Sequence, residues 1–204
     1  MKKFILSLGL LFSISSVFSQ SFMQGAGFSL FGVAPSDNNG FFFNEALTYT
    51  PSINFVETEK LSVSAGIPLS FGFSFGIRDR IDSSYYSRSS YTAPYSGFFI
   101  NAPMNINLNI GRGSSKSNVE KIGYFVGLGY GIYSASYSVA RKYETVTDNE
   151  STSTSGLTID AGMRFGVGSK RAKRPKNIEF RLSHLIGSSV LSKRLYGAGC
   201  SFNF

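Results

Sequence analysis

A chain of 204 residues holds one domain and is short for two. Charged residues make up 16% of it, against about 25% in an average globular chain, while aromatics reach 15% and glycine 22 residues. The mean hydropathy is near zero and no stretch reaches the ~20 apolar residues of a spanning helix, which excludes a helical membrane protein. The formal charge is +8.

The first residues stand apart. Lys2 and Lys3 precede an apolar run from Phe4 to about Ile14, and Val17 and Ser19 take the −3 and −1 positions of a cleavage site. This is the pattern of a secretory signal peptide over residues 1–19, with Gln20 opening the exported part. Removing the two lysines, with no acids lost, leaves 8 − 2 = +6. Cys200 is the single cysteine, so export brings no intramolecular disulfide.

From there the chain alternates apolar and small or polar residues with period 2. The first strand, about 22–33, is the least regular. Residues 46–55 set Leu47, Tyr49, Ile53 and Phe55 against Thr48, Thr50, Ser52 and Asn54. The clearest run is Leu61–Gly76, whose odd positions are all apolar and whose even positions are Ser, Gly and Pro. A helix would mix the two sets around its circumference, so this is a strand. Residues 97–110 oppose Phe98, Ile100, Met104, Ile106, Leu108 and Ile110 to a row of asparagines. Residues 122–134 oppose Ile122, Tyr124, Val126, Leu128 and Tyr130 to a row of glycines broken by Phe125. Strands over 156–168, 178–186 and 194–204 complete an even set of eight.

The fold class is therefore all-β, an eight-stranded antiparallel up-and-down transmembrane β-barrel over residues 20–204. Its small polar face suits a narrow interior better than a solvated surface, so the apolar face meets lipid. A soluble, lipocalin-like barrel is the alternative. Strands of about 10–15 residues fit a tilted crossing of ~9–11 plus extensions. Periplasmic turns fall near 56–60, 111–121 and 169–177, and surface loops near 34–45, 77–96, 135–155 and 187–193. Pro51, Pro68 and Pro103 fall inside strands, which predicts a bulge or lost pairing, because a closed barrel has no edge strand to house them.

The chain ends Tyr196-Gly-Ala-Gly-Cys-Ser-Phe202-Asn-Phe204. This terminal pattern resembles the assembly signal of bacterial outer-membrane barrels. With its size and strand count, the chain resembles the OmpA/OmpX-like small barrels. Gln20 and the hairpin YTPSINF…LSVSAGIPLSFGFSF are similar to the Bacteroidetes-type outer-membrane β-barrel family that includes PorT-like proteins. The resemblance implies location in the outer membrane of a Gram-negative cell. It also implies contact with outer-membrane lipids and lipopolysaccharide, and handling by the barrel-assembly machinery through Tyr196, Phe202 and Phe204. An outer-membrane protein partner fits the same resemblance. No peptidoglycan-binding domain is expected after the last strand.

Chemistry-bearing motifs are few. One histidine, His184, and one cysteine support neither a catalytic trio nor a metal site, so no catalytic residue, metal or cofactor is expected. Alternation places His184 outside with Leu182 and Ile186. Four charges point inward: Asp160, Arg164, Glu179 and Arg181. Unpaired charges in a confined lumen are costly, so Arg164 is expected against Glu179, and Arg181 against Asp160 or Glu179. A structural plug and an ion-conducting constriction both remain open. The 77–96 stretch carries Arg78, Arg80 and Arg88 with Tyr85, Tyr86 and Tyr91. That composition suits anionic glycolipid or sugar, or an interfacial girdle. The basic turn Lys170, Arg171, Lys173, Arg174 and Lys176 suits anionic headgroups, since export removes nucleic acid as a partner. The expected function is a non-enzymatic envelope barrel, in surface interaction or as an accessory subunit. The alternative is a narrow conduit for small or hydrophobic solutes.

Overall fold

The computed structural model describes residues 21–34, 41–84, 87–115, 118–140, 147–167, 176–187 and 194–204. At 34, 41–42, 78–84, 87–93, 139–140 and 147–148 only the backbone is described. The expected signal peptide lies outside these residues.

Eleven strand segments build eight staves. The first stave is β1 (Ser21–Met23) with β2 (Gly25–Ala34), the second β3 (Phe41–Tyr49) with β4 (Ser52–Glu57), and the third β5 (Leu61–Gly66) with β6 (Leu69–Ser84). The rest are single strands: β7 (Ser87–Gly111), β8 (Ile122–Ala140), β9 (Thr147–Val167), β10 (Lys176–Gly187) and β11 (Arg194–Asn203). Each stave pairs antiparallel with the next, and β11 returns to β2 from Arg194↔Ala34 to Asn203↔Gly25. The ring is closed, so no edge is left to aggregate.

The sequence alternation sets the two faces. Phe28 is 72% exposed, Leu182 66% and Met104 63%, while Asn44, Asn54, Asn105 and Asn109 on the opposite face are wholly buried. Large apolar side chains cover the outside of every stave. A water-soluble monomer does not expose an apolar girdle of that extent, so this belt is the lipid contact.

Two features differ from expectation. The stretches 77–96 and 135–155 are not open loops. The strands β6 and β7 stay paired out to Ser84↔Ser87, and β8 and β9 to Ala140↔Thr147. Ser, Thr and Tyr dominate these extensions, and Thr and Tyr favour strand, so pairing continues past the apolar belt. In the second stave a bulge between Asn54 and Val56 shifts the register against β5. It inserts Phe55, turns Val56 outward and brings Glu57 to accept from Ser21 Oγ at 2.6 Å.

The regular strands break at Gln24, Thr50–Pro51 and Ile67–Pro68, although Thr50 still donates to Gly25 O at 2.8 Å, Ile67 to Pro51 O at 3.1 Å and Phe204 to Gln24 O at 2.9 Å. Pro103 instead stays inside β7, aligned with Gly131 of β8.

Candidate functional site

The lumen is filled in three layers. At the centre of the lower two, register brings the four predicted charges together. Glu179 of β10 lies directly across from Arg164 of β9, and Ser183 across from Asp160. Arg164 Nε meets Glu179 Oε2 at 2.8 Å. Arg181 joins both carboxylates, with Nη2 at 2.8 Å from Glu179 Oε1 and Nη1 at 2.5 Å from Asp160 Oδ2. Asparagines extend the network: Arg164 donates to Asn109 Oδ1 at 2.8 Å, Asn203 donates to Glu179 Oε2 at 3.1 Å, and Asn105 donates to Asp160 Oδ2. Charges buried this deeply are stable only when paired and hydrogen-bonded.

Small residues make the room. Gly162 stands between Phe125 and Arg181, directly opposite both. A Cβ at 162 would lie 2.5 Å from the Phe125 ring. Over this glycine the Phe125 ring takes Arg164 Cζ at 4.6 Å and Arg181 Cζ at 4.7 Å from its centroid. The aromatic that breaks the sequence row of glycines is thus a platform for two guanidinium groups.

Toward the end with the extended hairpins lies an aromatic layer that composition did not reveal. Phe99, 1% exposed, packs edge-on to Phe31 at 5.6 Å and lies 5.8 Å from Tyr133. Tyr95 and Tyr137, with ring centroids 5.2 Å apart, belong to the same buried cluster, as do Leu185, Leu195 and Val33. Tyr133 accepts from Asn44 at 3.2 Å and Tyr95 donates to Phe75 O at 3.0 Å. Extending the period-2 pattern through 95–99 and 133–137 would have found it.

At the opposite end, the connection after β7 folds back across the mouth. Positive φ at Gly111 (73°) and Gly113 (84°) lets the chain turn in over Arg164. Arg112 donates to Asn118 O at 3.2 Å and Lys176 O at 2.9 Å. Asn54 donates to Ser114 O at 3.1 Å, and Asn118 to Glu59 O at 2.8 Å. Two cavities beside Arg181 are about 10 and 20 Å³, the size of single waters.

The other predicted residues lie elsewhere. Tyr85 and Tyr86 fall outside the described residues, as do the side chains of Arg78, Arg80, Arg88 and Tyr91. The backbone aligns Arg80 with Tyr91 and Ser83 with Arg88 in one hairpin. Of the basic turn only Lys176 is described. Tyr196, Phe202 and Phe204 are on the outer face, with Phe202 and Phe204 stacked at 6.2 Å. His184 stacks on Tyr196 at 4.5 Å. Among the described residues no group of three His, Cys, Asp or Glu is placed to hold a metal ion.

A closed eight-stave barrel with an apolar belt and a packed polar interior has the fold of the small outer-membrane β-barrels. Solved structures carry the same likeness. The attachment invasion locus protein Ail of Yersinia pestis, in complex with the heparin analogue sucrose octasulfate, superposes with a TM-score of 0.50 at 14% identity, over 91% of this chain and 98% of that one. The outer membrane protein OprG of Pseudomonas aeruginosa gives a TM-score of 0.50 at 10% identity, over 90% and 95%. No family model matches the chain, and no curated protein does.

Proposed function

We propose that this protein is a non-enzymatic outer-membrane barrel that acts as a scaffold in the envelope. In this role it presents its extended hairpins to a surface ligand or serves as an accessory subunit of an outer-membrane assembly. The observation that carries this reading is the three-layer filling of the lumen by the aromatic cluster, the charge network and residues 112–115 with Asn118. A barrel filled in this way is a rigid post rather than a pore.

In this reading the hairpin end faces outward and the short-turn end with both termini faces the periplasm, the usual arrangement of such barrels. Residues 1–19 are then the export signal, and Tyr196, Phe202 and Phe204 are the surface read by the assembly machinery. The β6–β7 hairpin carries Arg78, Arg80 and Arg88 with Tyr85, Tyr86 and Tyr91, a composition suited to anionic saccharide or the phosphates of lipopolysaccharide. The heparin analogue bound by Ail is a polyanion of the same chemical kind.

Planar-bilayer recording of the purified, refolded protein tests the scaffold reading. No discrete conductance steps are expected. Reproducible steps from the unmodified protein would replace the scaffold with the narrow conduit. Affinity purification from the native membrane then separates the two scaffold roles, since a stoichiometric protein partner marks an accessory subunit.

A further inference from the structure

The apolar belt stands higher on one side of the barrel than on the other. A row of paired residues runs from Phe28 through Leu47, Phe71, Ile100 and Ser134 to Ser153 of β9. In the other direction it runs through Cys200 and Phe180 to Met163 of β9. The two ends are 163 − 153 = 10 residues apart, so a row climbs 10 residues toward the hairpin end in one circuit of the staves. At ~3.3 Å per residue and ~4.8 Å between strands, the strands tilt by about 40°, and height grows by ~2.5 Å per residue and ~3 Å per stave.

On that scale the outermost large apolar side chains on the outer face of β2, β8, β9, β10 and β11 are Leu30, Ile132, Leu157, Ile186 and Tyr196, about 5–9 Å above Phe28. Phe43, Phe75, Ile77 and Phe98 of β3, β6 and β7 stand at about 13–21 Å, and all are exposed. At the short-turn end Phe22, Ile110, Ile122, Phe165 and Ile178 lie within about 6 Å of one another in height, so leaning the barrel does not even out the top. The lower side spans the ~25 Å of an ordinary barrel belt, and the raised face adds ~10 Å to it. Phe73 joins the raised face to the belt, 5.0 Å from Phe98 and 6.3 Å from Phe75. Glu45 lies across from Phe73 in the ladder and about 8 Å above Phe28, beneath Phe75 and level with the margin of the opposite wall. Among the described residues its carboxylate has no hydrogen-bond or ion-pair partner.

Lipid answers neither feature. Thickening a bilayer along three of eight staves costs energy with each ångström, and acyl chains carry no donor for a carboxylate. A second copy of this chain fails as well. A two-fold axis through the raised face, along the membrane normal, would set two Glu45 carboxylates against each other. We infer that the raised face of staves two to four docks a second, different outer-membrane protein, which covers Phe43, Phe75, Ile77 and Phe98 and presents a lysine or arginine to Glu45. Such docking rests on the accessory-subunit role and gives it a wall and a charge. An ion pair at the lipid margin, shielded by phenylalanines, fixes the register of the two proteins and disfavours partners without the base.

The test is site-specific photocrosslinking of the full chain in the cells that make it. Benzoylphenylalanine replaces Phe43 or Phe75 on the raised face, and Ile132 or Leu157 on the opposite wall. The raised positions are expected to give one protein adduct of discrete size, well above any from the opposite wall. Peptide mapping is expected to place its far end on an apolar strand beside a Lys or Arg. Glu45→Lys sets like charges together and lowers the adduct by at least about tenfold, and changing the partner's base to Glu in the same cells restores it. Glu45→Gln keeps the shape and lowers the adduct too, which serves if Glu45→Lys does not fold. Adducts with lipid or glycolipid alone, an adduct of two copies of this chain, equal yield from both walls, or unchanged yield in folded Glu45 variants overturn the docking face. Protein adducts from Ile132 or Leu157 alone would keep the accessory subunit and move its wall, whereas no adduct at any position would overturn both. None of these outcomes depends on the conductance of the barrel.

Discussion

Arg164 and Glu179 are direct cross-strand partners in the lumen, Nε to Oε2 at 2.8 Å, with side chains only 4% and 2% exposed. The β9–β10 seam of the barrel is thereby tied by a charge pair that water hardly reaches. Removing one member strands the other. Glu179→Ala and Arg164→Ala are each expected to cost about 3–5 kcal/mol, whereas Arg164→Met/Glu179→Leu recovers most of the loss. Urea unfolding of the refolded barrel in lipid, followed by the gel shift of the folded form, measures both. If the single variants unfold at the wild-type midpoint, the pair is not holding the lower lumen together.

Phe125 supports this pair from the other side. Two guanidinium groups at 4.6 and 4.7 Å from one ring centroid share a single aromatic platform. Phe125→Leu keeps the apolar volume near constant and removes the π face, at an expected cost of about 1–3 kcal/mol. In the Arg164→Ala background the same change should cost about half as much, because one of the two cation contacts is already gone. A double-mutant cycle reads the coupling directly, and additive losses would show that the ring is only a filler.

Closure by three layers makes a distinct prediction for conductance. Phe99→Ala opens a space among Phe31, Tyr133 and Phe99 and costs about 3–5 kcal/mol, yet gives no channel, because the charge network and the folded connection still block the path. Adding Arg164→Ala/Glu179→Ala, and then Arg112→Ala to remove its bonds to Asn118 O and Lys176 O, should produce conductance steps only in the full combination. Steps from Phe99→Ala alone would mean that the aromatic layer is the sole barrier.

Much of this architecture is legible in the residues, and the limits are physical. Alternation over Leu61–Gly76 fixes which side meets lipid, because a one-residue slip would turn every side chain over. The same rule puts Asp160, Arg164, Glu179 and Arg181 on one face. It extends to Phe99, Tyr133 and Tyr137, but Ser-, Thr- and Tyr-rich extensions look like loops until the ladder is seen to continue through them. The bulge at Asn54/Val56 interrupts the period and hides the inward turn of Glu57. The connection over the mouth is closed by long-range bonds such as Asn54 to Ser114, which no local pattern announces. The prolines were readable as a flaw in the pattern. A connection over 77–96 already brings Pro68 and Pro103 close across the third and fourth strands, and the shared register of β5 and β6 against β7 makes them direct opposites.

Glu45 is the acidic residue on the outer face of β3, exposed between Leu30 of β2 and Phe73 of β6. A carboxylate among lipid-facing apolar side chains is costly in proportion to its depth, less so for Glu than for Lys or Arg. Glu45→Leu is therefore expected to raise the stability of the isolated barrel in lipid by about 1–2 kcal/mol. Urea titration at neutral pH in vesicles measures the change, and Glu45→Gln separates the charge from the shape. An ionisable side chain retained on the lipid face also marks a place where a protein partner would supply a donor. The two explanations part in the native membrane. If Glu45 serves only an interfacial position, Glu45→Leu leaves any co-purifying protein in place. If it meets a partner, the same substitution stabilises the lone barrel and releases that protein. A loss of stability in the isolated barrel would overturn both, since it would require a stabilising contact to Glu45 within the chain itself.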